Sequence, residues 1–490
     1  MGQNTAGTLT NIVARGALDF YLTESPTTTY WSSAFQRHTT FAMEATVQTI
    51  TQNQTSGSIS INRNGDMLFH TYLQVDLPGI CIRKKEGSLS SEAVGNCRGK
   101  NSYALLTETL SADELKSQKN QYDICTDECD DPDAIKIERQ CRDEMADCMW
   151  VHWTNAVGQR LIQECRLQIG GATVDKLWGD FLFCYEELSG LVGRRLLEMT
   201  GKRFNRQELL VDSQESRRLY VPLTFWYSLS SGAALPLSAL QFHSVKFEFD
   251  FRAWDELVVF NVPPEDPDAD NLMFNHYEIK RCDKGNLTDM SQDSIRVSLL
   301  MNNVYLDQSE RAALASKKWE ALIVQHQHQR VPANQIENFM VPFNHPITEL
   351  VWTVQRQKVL DTNAAYNFSG HGMRDPIKSA QLTFNNNARF GDQDGKDFQA
   401  SYFRLVQPYE AHSCIPDQHI YNYNFALHPE DSTTPSGSAN FSRIDNIYMG
   451  VTLQDSLKEN EKDAVVLNLY AKNWNIGRFQ EGLFGVAYAN

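Results

Sequence analysis

The stretch Val245-Lys246-Phe247-Glu248-Phe249-Asp250-Phe251 places an apolar residue at every odd position and a charged one at every even position. A β-strand turns successive side chains to opposite faces, so this pattern describes a strand with one face in a core and one in water. The same period of two recurs earlier, where Phe69, Thr71, Leu73, Val75 and Leu77 alternate with His70, Tyr72, Gln74 and Asp76. Cys165, Leu167 and Ile169 form another inward set, and Val465, Leu467 and Leu469 a fourth. Asn64-Gly65, Gly170-Gly171 and Pro435-Ser436-Gly437 punctuate the runs as turns. A long series of one-sided strands means antiparallel sheets packed as sandwiches or barrels. The fold class is all-β.

Helical signals are few. Asp307-Gln308-Ser309-Glu310 reads as a capping box, with Asp307 accepting from first-turn amides and Glu310 reaching back. The helix it opens ends where the strand-like Ala321-Leu322-Ile323-Val324 begins. A short helix between two β-rich halves marks a junction. The expected organisation is an N-terminal arm (1–19), a first β domain (20–306), a linker helix (307–318) and a second β domain (319–490). Residues 81–150 break the strand pattern; between Asp123 and Asp147 they hold ten acidic and three basic residues. They read as a surface insertion in the first domain, without a core of its own.

Composition limits the function. The 490 residues include 41% hydrophobic and 22% charged, enough to bury large cores. The net charge of −16 repels phosphate backbones, so direct nucleic-acid binding is not expected. Mean hydropathy is −0.44, and no run approaches the roughly 18 apolar residues of a spanning helix. The opening MGQNTAGTLTNIVARG has neither a basic start nor an apolar core, and Ala6 stands where myristoylation wants Ser or Thr. Cytosolic synthesis is therefore expected, with the ten cysteines mostly reduced.

Motifs for chemistry are sparse. His326 and His328, two apart on a strand, would face one way and could share a metal as in a cupin barrel. The cupin pattern also needs a Gly six residues before the first His and a Glu four or five after the second. Glu320, Pro332 and Ala333 hold those places, so a solvated strand face is the simpler reading. Gly95-Asn96-Cys97-Arg98-Gly99-Lys100-Asn101 is one residue short of a phosphate loop and lacks its Ser or Thr. Four sequons, at Asn53, Asn286, Asn367 and Asn440, are expected to be mostly bare. No catalytic, cofactor-binding or metal-binding set is assigned. A carbohydrate-binding module would need surface tryptophans, but Trp31, Trp150, Trp153, Trp178 and Trp226 lie in apolar contexts that suggest cores.

A family resemblance enters through ordered motifs. Gly16-Ala17-Leu18-Asp19-Phe20-Tyr21-Leu22 and Phe35-Gln36-Arg37-His38-Thr39-Thr40-Phe41-Ala42 resemble the opening of major capsid proteins of nucleocytoplasmic large DNA viruses. Further matches are Ile169-Gly170-Gly171-Ala172-Thr173-Val174-Asp175-Lys176, Leu235-Pro236-Leu237-Ser238 and His345-Pro346-Ile347-Thr348-Glu349-Leu350. Gln407-Pro408-Tyr409-Glu410 follows, and the most specific piece is Pro435-Ser436-Gly437-Ser438-Ala439-Asn440-Phe441-Ser442-Arg443-Ile444-Asp445-Asn446. The resemblance implies a double jelly roll of two eight-stranded antiparallel sandwiches. It also implies a homotrimeric capsomer of pseudo-hexagonal outline that tiles an icosahedral shell. Neighbouring capsomers, minor capsid proteins and penton proteins are its implied partners, with an internal membrane beneath and the N-terminal arm inward. The implied place is the virion, after synthesis and assembly in the host cytoplasm. A jelly-roll metal enzyme and a carbohydrate-binding module are the alternatives.

No role carries over to the insertion, which is read from its own residues. Asp131 and Pro132 can open a helix on which Ala134, Ile137, Cys141, Met145 and Cys148 form one stripe. Cys125 and Cys129 are four apart, so disulfides to Cys141 and Cys148 are expected in the mature particle, ahead of free thiols and of zinc. The insertion is expected to cap the outward side.

Overall fold

The computed structural model describes residues 16–26, 37–84, 150–190, 196–261, 277–283, 286–316, 318–389, 398–458 and 464–488. The chain divides into two units, one running to Phe41 and one from Ala42 to Asn490. In the first, helix Ala17–Thr23 is opened by Asp19, whose carboxylate accepts from the Gly16 N–H at 2.9 Å.

Sixteen of the strands make the two barrels of the second unit. The first eight are β1 (Phe41–Thr49), β2 (Ser56–Ser60), β3 (Met67–Leu77), β4 (Ile162–Ile169), β5 (Ala172–Leu177), β6 (Arg217–Pro222), β7 (Val245–Phe251) and β8 (Arg296–Leu306). They form two antiparallel sheets in the orders β1-β8-β3-β6 and β2-β7-β4-β5. The next eight are β9 (Trp319–Pro332), β10 (Phe339–Met340), β11 (Pro346–Arg356), β12 (Ile377–Phe384), β13 (Asn387–Ala388), β14 (Ile420–Asn424), β15 (Ile447–Leu453) and β16 (Val465–Gln480). Their sheets run β9-β16-β11-β14 and β10-β15-β12-β13. In each half the first strand pairs with the last and the third with the sixth, while the second pairs with the seventh. That is the jelly-roll order, and it occurs twice.

The deciding stretch is β7. Phe247, Phe249 and Phe251 are buried, with Phe247 opposite Leu167 and Phe249 opposite Cys165 on β4. On the other face the charges pair as well. Arg166 Nη1 meets Asp250 across the strands at 2.8 Å, and Lys246 Nζ meets Glu248 along β7 at 2.6 Å. Hydrophobic burial and a charge ladder therefore specify one register, since a slip by one residue would exchange the two faces. The β4–β5 hairpin turns on Gly170 and Gly171, at φ of +63° and +83°, which a side chain would strain.

Between the barrels lies helix α2 (Gln308–Ser316), capped by Asp307, which accepts from the Glu310 N–H at 2.8 Å. Arg311 ties it to the first barrel through Asp66 at 2.7 Å.

Residues 81–84, expected to begin the insertion, belong to strand Ile80–Lys84, which pairs with Tyr277–Asp283. The basic run at its end looked like a loop because the partner lies some two hundred residues away. A disulfide joins Cys81 to Cys282 across these strands, a pairing the sequence reading did not foresee. Cys165, Cys184 and Cys414 are free. Cys125, Cys129, Cys141 and Cys148, with the helix expected after Asp131, lie outside the described residues.

Candidate functional site at the barrel junction

Helix α1 (Gly179–Ser189) lies in the connection from β5 to β6. Its sequence Phe181-Leu182-Phe183-Cys184, followed by Leu188, is apolar nearly all round, and a helix of that kind is buried on most sides. These residues are buried. One side of α1 packs on the outer face of the second barrel's sheet β9-β16-β11-β14. The Phe181 ring lies 4.9 Å from His326 and 5.4 Å from Tyr470, and Trp178 lies 5.1 Å from His328. Phe183 stacks on Tyr366 at 3.9 Å. One continuous apolar cluster therefore includes Phe181 and Leu188 together with Val351, Tyr470 and Trp474, while the second barrel's interior has its own cluster around Trp352 and Leu467.

Buried charge accompanies this apolar contact, and each charge has a counter-ion. Asp180 lies between Arg160 at 3.0 Å and Arg252 at 2.9 Å. Burial pushes its carboxyl upward, but the two guanidinium groups outweigh that and hold it below the usual carboxylate range. Nearby, His412 bridges Glu349 on β11 and Glu430, at 3.1 Å each. Burial alone would lower the imidazole, yet hydrogen bonds to both carboxylates raise it to about 9, so it is an imidazolium at neutral pH. Lys472 on β16 stands 3.5 Å from Glu349 and donates to the Tyr185 hydroxyl of α1 at 2.9 Å. Glu187 of α1 pairs with Lys202 in the first barrel. A buried pair is costly to break, because the survivor remains charged without a partner.

His326 and His328 sit within this junction rather than in a metal site. His326 Nδ1 is 3.1 Å from Asp175, and its backbone N–H donates to the same carboxylate at 2.8 Å. The His328 ring stacks on Tyr470 at 4.6 Å, with Nε2 3.3 Å from Asn468. Burial holds His328 below the usual imidazole range. The solvated-face reading fails as well, since both rings are covered by the first barrel. Among the described residues no group of three or more His, Cys, Asp or Glu side chains is placed to hold a metal. A cavity of about 790 Å³ opens beside this cluster, lined by residues that include Arg160, Asp180, Arg252, His328 and Tyr470. Trp153 and Trp226 are buried, as expected, while Trp31 is outside the described residues.

The signature segment is turn chemistry. Gly437 takes φ of +138°, and the Asn440 carboxamide accepts from the Ser442 N–H at 3.1 Å. Ser442 in turn accepts from the His345 N–H at 2.8 Å, which pins the turn to β11's approach. Arg443 and Asp445 are exposed in the turn and the loop after it, not on a strand face. Sequence reasoning missed α1 and its partners. The one local signal was the apolar run Phe181-Leu182-Phe183-Cys184.

Two eight-stranded barrels of one topology, joined across a shared apolar seam by hydrogen bonds such as Lys472 to Tyr185 and the His326 N–H to Asp175, define the class: this is a double jelly-roll protein. The sequence model described as large eukaryotic DNA virus major capsid protein matches residues 310–485, and that of the major capsid protein N-terminus matches 29–108 and 135–307. The chain belongs to the family of major capsid proteins of large eukaryotic DNA viruses, and it is a structural protein of the virion capsid. It is 27% identical to the major capsid protein of Phaeocystis pouchetii virus, over 99% of this chain and 100% of that one. With the major capsid protein of Paramecium bursaria Chlorella virus 1 it shares 26% identity at the same coverage. The PBCV-1 virus capsid quasi-atomic model superposes with a TM-score of 0.63 at 22% identity, covering 94% of this chain and 100% of that chain. The Faustovirus major capsid protein gives 0.59 at 11% identity, covering 94% of each.

Proposed function

We propose that the chain acts as a homotrimer, a capsomer of pseudo-hexagonal outline that tiles the facets of an icosahedral shell. The observation that carries this is the repetition of one strand order in two barrels locked together, which gives three chains six similar walls. The working division is 20–306, linker 307–318 and 319–490. The role is geometric and not enzymatic: the buried acids, bases and imidazoles are consumed by one another at the junction. Neighbouring capsomers, minor capsid proteins and penton proteins complete the shell, over an internal membrane. Assembly follows synthesis in the host cytoplasm, and the acidic surface argues against direct nucleic-acid contact. Light scattering on the purified chain tests the reading. Three copies of 55.8 kDa are expected, and a folded monomer at micromolar concentration would overturn it.

A further inference from the structure

The contact between the barrels in one chain has a second, unpartnered copy of each of its halves. The first half is the helix between the fifth and sixth strands. In the first barrel this is α1, whose Tyr185-Glu186 follows the buried Phe181 and Phe183. In the second barrel the same connection holds a helical segment made of a π turn, Tyr402–Val406, and α3 (Gln407–Ala411), where Tyr409-Glu410 follows the buried Phe403. Leu405, Val406 and Tyr409 share one side of this segment and are 45%, 40% and 77% exposed. Tyr185, the counterpart of Tyr409, is covered by the second barrel and takes a hydrogen bond from Lys472.

The other half is the outer face of the sheet that pairs first, last, third and sixth strands. In the second barrel that face is covered by α1. In the first barrel it is the outer side of β1-β8-β3-β6, which is polar toward β6, where Asp76 pairs with Arg218, and carries exposed apolar side chains at its β1 edge. Met43 and Val47 of β1 are 50% and 57% exposed, while Leu300 and Val304 of β8 and Tyr72 of β3 are only half-buried. The opposite side of β1 is the one that faces the core, since Thr46 accepts from the Asn303 amide at 2.7 Å. Among the described residues nothing covers Met43 or Val47.

We infer that the Leu405–Val406–Tyr409 side of one copy docks on the Met43–Val47 face of the next, repeating between chains the contact that α1 makes within one. The inference rests on the trimer reading and deepens it by naming the two surfaces. Each copy offers one helix and one sheet face, so the contact is head-to-tail, and alternating internal and external contacts close a ring of six barrels after three chains. The occupant is a second copy because the matching helix is presented by this chain itself.

The test uses the full chain with Val47→Glu, which spoils the sheet face, and Tyr409→Glu, which spoils the helix. Light scattering and cross-linking at about 100 µM read the mass. Each variant alone is expected to be monomeric with unchanged circular dichroism. An equimolar mixture is expected to form a one-to-one heterodimer, because one variant keeps its helix and the other its sheet face; the double variant stays monomeric. Trimers formed by either single variant, or a mixture that stays monomeric, would overturn the inference while leaving a wild-type trimer intact. A wild-type monomer would overturn the trimer reading instead. Should either glutamate lower the melting temperature, Met43→Lys and Leu405→Lys take their places with the same expected outcomes.

Discussion

Replacing His412 by Gln removes an imidazolium that is held between Glu349 and Glu430 at 3.1 Å each, with its side chain out of solvent. A histidine in the unfolded chain titrates near 6.5, whereas the two carboxylates raise this one to about 9. Each tenfold preference for the protonated ring is worth about 1.4 kcal/mol, so the site contributes about 3 kcal/mol. Because the folded value is the higher, that stability is fully present below pH 6.5 and is lost as pH rises through 9. Lys472 and Tyr185 face the same carboxylate; burial lowers the first and raises the second, but the lysine's partners reverse its direction, so neither releases its proton before His412 does. Unfolding entropy near 2.1 cal/mol/K per residue makes 3 kcal/mol a fall of about 3 °C in a chain this long. Scanning calorimetry of wild type and His412→Gln between pH 6 and 10 measures it. The variant should start lower and show a flatter decline. Equal declines in both proteins would refute the assignment of the alkaline limb to His412.

Further outcomes follow from the same structure. Asp180→Asn leaves Arg160 and Arg252 buried without a carboxylate and should cost about 3–5 kcal/mol, read as a lower denaturant midpoint. Phe249→Ala opens a cavity between the sheets of the first barrel and should cost about 3–5 kcal/mol in the same assay. Removing the Cys81–Cys282 crosslink, by reductant or as the double serine variant, should cost about 2–5 kcal/mol, and the variant should then be insensitive to reductant.

Much of the fold was legible because a one-sided strand declares itself. Val245–Phe251 shows its core face and its charged face, and the structure uses both as read. The junction was illegible for the opposite reason. On β16 both faces are covered from Val465 to Asn475, so Asn468, Lys472, Asn473 and Asn475 look like water-facing residues in sequence yet are buried. His326 and His328 misled similarly. Their spacing suggests a shared metal or a wet face, but their surroundings come from Asp175, Trp178 and Phe181, about 150 residues earlier. The Cys81–Cys282 pair spans 201 residues, so no local spacing could announce it. Pairings at such separations are properties of the topology, and periodicity carries no record of them.

The central claim is that two like barrels make each chain a third of a six-walled block. Electron microscopy of the purified oligomer tests it most directly. Class averages with a hexagonal outline and threefold symmetry are the predicted result. Monomers, or particles with only twofold symmetry, obtained from protein whose melting transition is intact, would contradict it.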